Sequence, residues 1–144
     1  MTLRERALNL LARREHSRVE LGRKLAAHAE SEEQVGMLLD ALEHEGLLSN
    51  ARFAETLAHA RAGRHGSLRV KADLRDKGVP EEVIGAVISE ARSHDLEAAR
   101  AVWLKKFGAL PRDAAVRAKQ MRFLASRGFP AEIVHRVVGG ADDD

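Results

Sequence analysis

The sequence predicts an all-α fold made of three tandem three-helix repeats, and two observations support that prediction. Apolar residues recur at helical spacing along the whole chain, and no segment alternates with the period of two that is typical of a strand. The stretch LRDKGVPEEVI, residues 74–84, returns fifty residues later as LASRGFPAEIV, residues 124–134. A repeat at this spacing in a chain of 144 residues indicates an array of equivalent units.

The repeated stretch contains a Gly-x-Pro signal that ends one helix and starts the next. Gly78 and Gly128 suit the left-handed position just after a helix end. Pro80 and Pro130 suit the first turn of the following helix, where an N–H group would have no intrahelical partner. Each stretch therefore predicts a tight joint between two helices.

A weaker third copy, LAAHAESEEQV, has Ala29 in place of the glycine and Ser31 in place of the proline. Ser31 followed by Gln34 predicts a capping box at the start of a helix. Three copies account for the whole chain. We therefore expect three-helix repeats at residues 1–48, 49–94 and 95–139, with a flexible acidic tail at residues 140–144.

Capping residues, glycines and prolines bound the helices that the apolar period predicts. Besides the helices that restart after the two prolines, these signals place helices at residues 3–14, from Ser17 onwards, at 32–45, through 53–61, from Ser67 onwards, at 96–107 and at 113–127. Three side chains have structural roles in this scheme. Phe53 is expected to anchor the core between the first two repeats, and Trp103 belongs to the core of the third. Arg52 is expected to pair with an acidic residue of the preceding repeat, such as Glu43 or Glu45.

The composition excludes several classes of protein. There is no cysteine, so disulfides and thiolate metal sites are excluded and a cytosolic protein is favoured. No apolar run approaches the ~20 residues of a membrane span. The amphipathic N-terminal stretch contains Glu5 and Glu15, which argue against a transit peptide. We expect a cytoplasmic, monomeric protein without membrane contact.

The positive charge is concentrated in two parts of the chain. Residues 98–141 hold nine basic and two acidic side chains, although the net charge is only +2. A second group lies within residues 61–77. Each of these cations alone could simply solvate a helix face, but the surplus as a whole favours an anionic partner. The candidate contact residues are Arg61, Arg64, Arg69, Lys71, Arg75, Lys105, Lys106, Arg117, Lys119, Arg122 and Arg127.

The sequence contains no recognisable catalytic, cofactor-binding or metal-binding residues. The stretch GRHGS at residues 63–67 lacks the spacing and the lysine of a phosphate-binding loop. The histidines are scattered, and His16 and His65 are among those expected in surface or capping positions near helix ends. Without a nucleophile–base pair or paired carboxylates, we do not expect an enzyme.

The chain resembles the RecX family of bacterial RecA modulators. The resemblance covers residues 3–138, in the stretches ALNLLARREHSRVELGRKL, EGLLSNARFAETLAHAR and RHGSLRVKADLRDKGV and in the repeated helix-stop signal. Its most specific part is the junction EGLL followed by ARFA, residues 45–54. This sequence departs from the family at Leu57 and Ala58, where an aromatic residue is frequent, and at Asp73, where glutamate is usual.

This resemblance implies a curved, elongated array of three repeats that binds the helical groove of RecA filaments on single-stranded DNA. It also implies a non-enzymatic inhibitor of RecA ATPase, strand exchange and co-protease activity, acting in recombination, DNA repair and the SOS response. Any DNA contact is expected to involve phosphates and to weaken with salt, because few aromatic side chains are available for stacking bases.

Two other functions stay open at this stage. Short three-helix units resemble helix-turn-helix modules, so the chain could be a duplex-binding protein or transcriptional repressor. Against this, the helix at residues 113–127 offers only Gln120 as an amide side chain that could read a base edge. A passive helical scaffold is the third possibility.

Overall fold

The computed structural model describes residues 1–139, and all regular secondary structure in this range is α-helical. The acidic tail expected at residues 140–144 lies outside the described residues. The helices form three successive sets of three, as the sequence predicts. They are α1 (Leu3–Arg13), α2 (Arg18–Ala26), α3 (Glu32–His44), α4 (Asn50–Arg61), α5 (Ser67–Asp76), α6 (Glu81–Ser93), α7 (Asp95–Lys106), α8 (Ala114–Ser126) and α9 (Ala131–Val138).

The chain divides into two compact units, and the second set of helices contributes to both. One unit contains Met1–Leu57 together with Leu74–Ile84. The other contains Ala58–Asp73 together with the chain from Gly85 onwards. None of the helices within residues 1–139 has the length and hydropathy of a membrane-spanning segment.

The first unit has a core of leucine, valine and alanine side chains, with α2 packed against α1 and α3. Thr2 and Ser17 each accept a hydrogen bond from a backbone N–H three residues later, and the glutamate at that position bonds back, so both form complete capping boxes. The buried core residues are Ala7, Leu21, Leu25, Val35, Leu39, Leu42 and Leu48.

The start of α2 lies against the joint between α5 and α6 within the same unit. The Ser17 hydroxyl donates to the carbonyl oxygen of Lys77 at 2.6 Å. A β-carbon placed on Gly78 would lie 2.6 Å from the β-carbon of Val19. Because Gly78 also has a φ of 73°, glycine is required there by backbone conformation and by close approach.

The second unit has its own core, in which α7 and α8 pack against each other and against α9. Trp103 is half-buried at its edge, which agrees with its expected core role. The buried core residues are Ala99, Leu124, Phe129, Val134, Val137 and Val138.

Two helix starts differ from the sequence-based expectation. Ser31 accepts from the Gln34 N–H at 3.1 Å, but the Gln34 side chain accepts from the N–H of Glu30 and not of Ser31, so the capping box is incomplete. Pro130 is the residue before the first helical position, with extended ψ of 151°, and therefore lies one residue earlier than expected.

The structure refines two side-chain roles in the first unit. Arg52 pairs with an acidic residue of the first repeat, as expected, but that residue is Glu15, at 2.8 Å, and not either of the two glutamates given as examples. Arg52 also donates to the Gly46 carbonyl. His16 is buried, with only 1 % of its surface exposed, so a surface position is wrong, whereas its Nδ1 makes a capping contact at 3.1 Å with the carbonyl of Arg14, the C-cap residue of α1. Spacing along the sequence reveals neither the burial of His16 nor the choice of Glu15.

Candidate nucleic-acid interface

The loop between α4 and α5 is attached to the turn between α8 and α9 by backbone hydrogen bonds. The N–H of Gly66 donates to the carbonyl of Arg127 at 2.9 Å, and the N–H of Leu68 donates to the carbonyl of Gly128 at 3.0 Å. A β-carbon on Gly66 would collide with the Gly128 carbonyl. The absence of a side chain at Gly66 therefore lets the two turns meet, and this contact brings the backbone of the first loop beside Arg127.

A buried carboxylate holds the start of α5 in place. The carboxylate of Asp95, the first residue of α7, accepts from the Ser67 N–H at 2.9 Å and from the Ser67 hydroxyl at 2.5 Å. Ser67 is 1 % exposed and Asp95 is 3 % exposed. Asp95 therefore acts as the cap of a helix that begins 28 residues earlier in the chain.

Arg127 joins the two basic groups that the sequence predicts. Its Nη1 donates to the Arg64 carbonyl at 3.3 Å, and its guanidinium lies over the Phe123 ring, 4.9 Å from the ring centroid. The ammonium of Lys106 lies over the same ring at 5.2 Å. Phe107 contacts the ring edge-on, with centroids 5.5 Å apart. The two groups, separate in the sequence, are therefore neighbours in the second unit.

Few carboxylates balance this charge. Asp73 pairs with Arg61 at 2.9 Å and with Arg69 at 3.4 Å. The guanidinium of Arg64 donates to a backbone carbonyl, which leaves its charge uncompensated. Within residues 1–139, no ion pair neutralises Arg64, Arg127 or Lys106. We call Arg61, Arg64, Arg69 and Arg127 the arginine cluster.

His65 lies within the arginine cluster, and the positive charge of the cluster affects its pKa. Its Nδ1 is buried and has no hydrogen-bond partner among the described residues. Burial lowers the pKa of His65, and the charges of Arg61, Arg69, Arg127 and Arg64 lower it further. The ring is therefore neutral near pH 7, and the charge of the site comes from the arginines and Lys106.

The other candidates in the third set of helices occupy more scattered positions. Lys105 lies on α7, and Lys119 and Arg122 lie on α8; all three are exposed and make no ion pair within the described range. Arg117 donates to the Gly139 carbonyl at 3.5 Å, which ties α8 to the end of α9. Arg117 therefore has a structural contact that its predicted role did not include.

Two candidates on α5 are not members of the arginine cluster. Arg75 belongs to the first unit and forms a two-pronged pair with Glu81, with both nitrogen–oxygen distances at 2.9 Å. Lys71 is half-buried and lines a small cleft in the second unit. Helical spacing predicts that Lys71 and Arg75 are neighbours on α5, but of the two it is Arg75 that has a carboxylate partner among the described residues.

Gln120, the one base-reading candidate on α8, is buried and fully engaged. Its amide oxygen accepts from the Trp103 indole N–H at 2.9 Å, and its amide nitrogen donates to the Ala109 carbonyl at 3.1 Å. Only 3 % of Gln120 is exposed. The duplex-reading alternative thus loses the side chain on which it depended.

Sequence reasoning missed Asp95 and His65 as parts of this site. Asp95 is the first residue of α7, and His65 lies in the loop before α5. Nothing in the neighbouring sequence indicates that either side chain is covered by the rest of the chain. Asp73 offered a usable signal, because it lies four residues after Arg69 and the pair shares a helix face.

Three family models match the chain in succession. They are described as the first, second and third three-helix domains of RecX, and they match residues 4–42, 49–88 and 94–138 respectively. Their order and spacing agree with the three sets of helices.

Curated relatives match over nearly the whole chain. The Regulatory protein RecX of Ralstonia pickettii is 50 % identical over 143 residues, which cover 99 % of this chain and 90 % of that protein. The Regulatory protein RecX of Chromobacterium violaceum is 45 % identical over 144 residues, covering 99 % and 93 % of the two chains.

Solved structures support the fold. The crystal structure of RecX from Lactobacillus salivarius has a TM-score of 0.79 at 17 % identity and covers 99 % of this chain and 96 % of its own. A second crystal structure, of regulatory protein RecX, has a TM-score of 0.78 at 20 % identity and covers 94 % and 70 %. At these identities the likeness concerns the fold alone.

Proposed function

The chain belongs to the RecX family, and from this premise we propose that it regulates the RecA recombinase, mainly as an inhibitor. In this proposal it binds RecA filaments on single-stranded DNA and suppresses their ATPase, strand-exchange and co-protease activities. It performs no chemistry of its own and acts as a monomer in the cytoplasm, in recombination, DNA repair and the SOS response. The observation that carries the proposal is the ordered match of all three family domains.

The arginine cluster and Lys106 are the proposed contacts to the DNA of the filament. Arg64, Arg127 and Lys106 carry charge that no carboxylate within residues 1–139 neutralises, so phosphates would complete their pairing. Guanidinium groups bind phosphate oxygens through paired N–H donors, which supports binding without dependence on base sequence. Asp73 competes for Arg61 and Arg69, so these two contribute less.

A second proposed element is the exposed basic face of α7 and α8. Lys105, Lys119 and Arg122 extend the positive surface beyond the arginine cluster. Such a surface raises the local concentration of a polyanion and speeds association, without fixing an orientation. Inhibition would then follow because a bound protein hinders the protomer movements that accompany ATP turnover or the addition of protomers to a growing end.

The test is the ATPase rate of preassembled RecA–single-stranded-DNA filaments, with this protein added below one molecule per protomer. We expect the wild-type protein to suppress the rate at such ratios. The double variant Arg64→Glu with Lys106→Glu should lose most of the suppression, because it replaces two phosphate contacts with repulsion.

The matched control is Arg100→Glu with Arg136→Glu. Both arginines are exposed in the second unit, and neither is ion-paired within residues 1–139, so the control changes net charge equally. Equal loss in the two variants would attribute the effect to overall charge and reject the site. Absence of suppression by the wild-type protein would reject the function.

A further inference from the structure

A small cleft in the second unit is lined by none of the residues assigned to DNA, although Leu68 is next to Arg69 in the sequence. It is formed by the first half of α5, the second half of α6 and the start of α9, and its volume is about 170 Å³. It is lined by Ser67, Leu68, Lys71, Ile88, Arg92 and Pro130.

The size of the cleft restricts its occupant. Pockets for cofactors and nucleotides measure about 300–1,000 Å³, so this cleft is too small for them. An apolar cavity of about 150 Å³ accommodates benzene, which is close in size to one large apolar side chain. A single side chain from a protein partner therefore fits the available volume.

The lining of the cleft combines apolar and cationic side chains. Leu68 is 50 % exposed, although it lies one residue from the buried start of α5, and Ile88 is 8 % exposed. Ser67 offers no free donor, because its hydroxyl already donates to Asp95, and only 1 % of the residue is exposed. An aliphatic or aromatic side chain resting on Leu68 and Ile88 would remove this surface from water.

Lys71 and Arg92 provide the positive charge of the lining. In contrast with Arg61 and Arg75, neither is paired with a carboxylate within the described part of the chain. Lys71 is half-buried and Arg92 is exposed. Cations in this setting favour carboxylates from another molecule.

We propose that this cleft docks an acidic segment of a protein partner, which inserts one apolar side chain over Leu68 and Ile88 and pairs carboxylates with Lys71 and Arg92. The inference rests on the proposed function, in which the partner is the protein component of the RecA–DNA filament. It assigns separate tasks to two surfaces of one unit. The arginine cluster binds phosphates, and the cleft binds protein.

The apolar part of the lining distinguishes the cleft from a nucleic-acid site. Phosphates gain nothing from Leu68 and Ile88, and the cleft has no exposed aromatic side chain on which a base could stack. A protein interface, by comparison, commonly has a buried apolar anchor surrounded by polar contacts.

The experiment compares two measurements on the same variants. Binding to preassembled RecA–single-stranded-DNA filaments is measured by co-sedimentation, and binding to the same DNA without RecA is measured by fluorescence anisotropy. For Lys71→Glu with Arg92→Glu we expect filament affinity to fall at least tenfold. Its affinity for bare DNA should change no more than that of the control, Arg100→Glu with Arg136→Glu.

A second variant, Leu68→Ser, tests the apolar contact without altering charge. We expect it to weaken filament binding severalfold and to leave DNA binding unchanged. Because Leu68 is half-exposed, the variant should fold normally, which a thermal melt followed by circular dichroism verifies.

Each other outcome overturns the inference in a different way. Equal losses of filament and bare-DNA binding in the charge variant would make the cleft a nucleic-acid site. Unchanged filament binding in the charge variant would exclude a docking role for Lys71 and Arg92, and in Leu68→Ser it would exclude the apolar anchor. If the wild-type protein fails to bind filaments at all, the proposed function fails first, and the docking proposal fails with it.

Discussion

Gly128 packs against Arg69 so closely that a β-carbon on the glycine would lie 2.5 Å from the β-carbon of the arginine. Fifty residues earlier, Gly78 has the same relationship to Val19, at 2.6 Å. Both glycines have positive φ, 91° and 73° respectively. The glycine of each Gly-x-Pro signal therefore does more than end a helix. It also contacts the second helix of the preceding repeat, α2 at Gly78 and α5 at Gly128.

The upstream copy of the signal supports this explanation. Ala29 occupies the position of the glycine there and packs against the core of the first unit. Its backbone has no positive φ, since within residues 1–139 only glycines do. A side chain is tolerated at this copy because it packs onto a core, whereas at Gly78 and Gly128 it would meet another helix.

The first prediction concerns these two glycines. Gly128→Ala and Gly78→Ala should each lower the free energy of unfolding by at least about 2 kcal/mol. The left-handed backbone costs a non-glycine residue about 1–2 kcal/mol. Overpacking adds about 1–3 kcal/mol. Urea denaturation measures the change as a shift in midpoint.

Gly85→Ala is the control for both variants. Gly85 lies within α6, and a β-carbon there would meet nothing within 4 Å. The substitution should stabilise the protein by about 0.5–1 kcal/mol, since alanine favours a helix interior over glycine. Similar effects at Gly128 and Gly85 would show that the close approach to Arg69 has no energetic weight.

Local pattern accounts for most of the fold. Helix positions, the caps at Ser17 and Ser31, and the left-handed glycines follow from neighbours within four residues, and these agree with the structure to within a residue or two. The basic surface was also visible in composition. Local pattern could not reveal that Arg127 joins its two parts, because that contact spans 63 residues of chain.

Buried polar residues were the main failure of sequence reasoning. Asp95 and His16 have polar side chains near helix ends, and such residues are usually exposed. Their burial depends on what the rest of the chain places over them, which periodicity does not encode. Arg52 is similar, because its charge predicted an acidic partner correctly but the identity of Glu15 required the fold.

The second prediction concerns the buried carboxylate. Asp95→Ala should lower the free energy of unfolding by about 3 kcal/mol, because it leaves the Ser67 N–H and hydroxyl buried without an acceptor. In a double-mutant cycle, the variant with both Asp95→Ala and Ser67→Ala should lose less stability than the two single variants lose in sum. The difference is a coupling free energy of about 0.5–3 kcal/mol.

Asp113→Ala is a suitable comparison, because Asp113 caps α8 on the surface through the Val116 N–H. We expect it to cost about 1 kcal/mol, as is usual for an exposed cap. Additive effects of Ser67 and Asp95 would contradict the direct hydrogen bonds between them.

The third prediction is a loss of stability on mild acidification. His16 Nδ1 lies 3.1 Å from the Arg14 carbonyl, and Nε2 lies 2.9 Å from the Lys24 ammonium. This arrangement suits the neutral ring with its proton on Nδ1, since Nε2 then accepts from Lys24. Burial is the largest influence and lowers the pKa of His16. The hydrogen bond to the Arg14 carbonyl opposes it, the charges of Arg14 and Lys24 lower the pKa further, and the charge of Glu20 raises it slightly, which leaves the pKa lowered.

Because the folded pKa is lowered, the unfolded chain binds a proton first as pH falls through the ordinary histidine value of about 6.5. The free energy of unfolding should therefore decrease as the pH falls from about 7.5 to about 5.5, and this contribution of His16 should be fully present above that range. Burial raises the pKa of Glu20, but hydrogen bonds from Arg14 and nearby positive charge outweigh this and leave it lowered. The stability that ionised Glu20 contributes is therefore lost at a lower pH than that due to His16.

The measurement is the free energy of unfolding at several pH values for the wild-type protein, His16→Gln and His65→Gln. His16→Gln should show a weaker pH dependence in this range. His65→Gln removes a second histidine whose pKa is lowered, and it should retain the part of the pH dependence that is due to His16. A wild-type slope in His16→Gln would contradict the assignment.

The fourth prediction concerns the salt dependence of binding to single-stranded DNA. The logarithm of the affinity should fall linearly with the logarithm of salt concentration, with a slope of about −0.7 for each phosphate contact. Arg64→Gln with Lys106→Gln removes two proposed contacts, so the slope should become shallower by up to about 1.4. Arg61→Gln should change the slope less, because Asp73 already neutralises that guanidinium.

Fluorescence anisotropy with a labelled oligonucleotide measures all three slopes, and Arg100→Gln with Arg136→Gln is the control. A control slope that changes as much as that of the Arg64 and Lys106 variant would mean that phosphates bind diffusely over the basic surface and not at the arginine cluster.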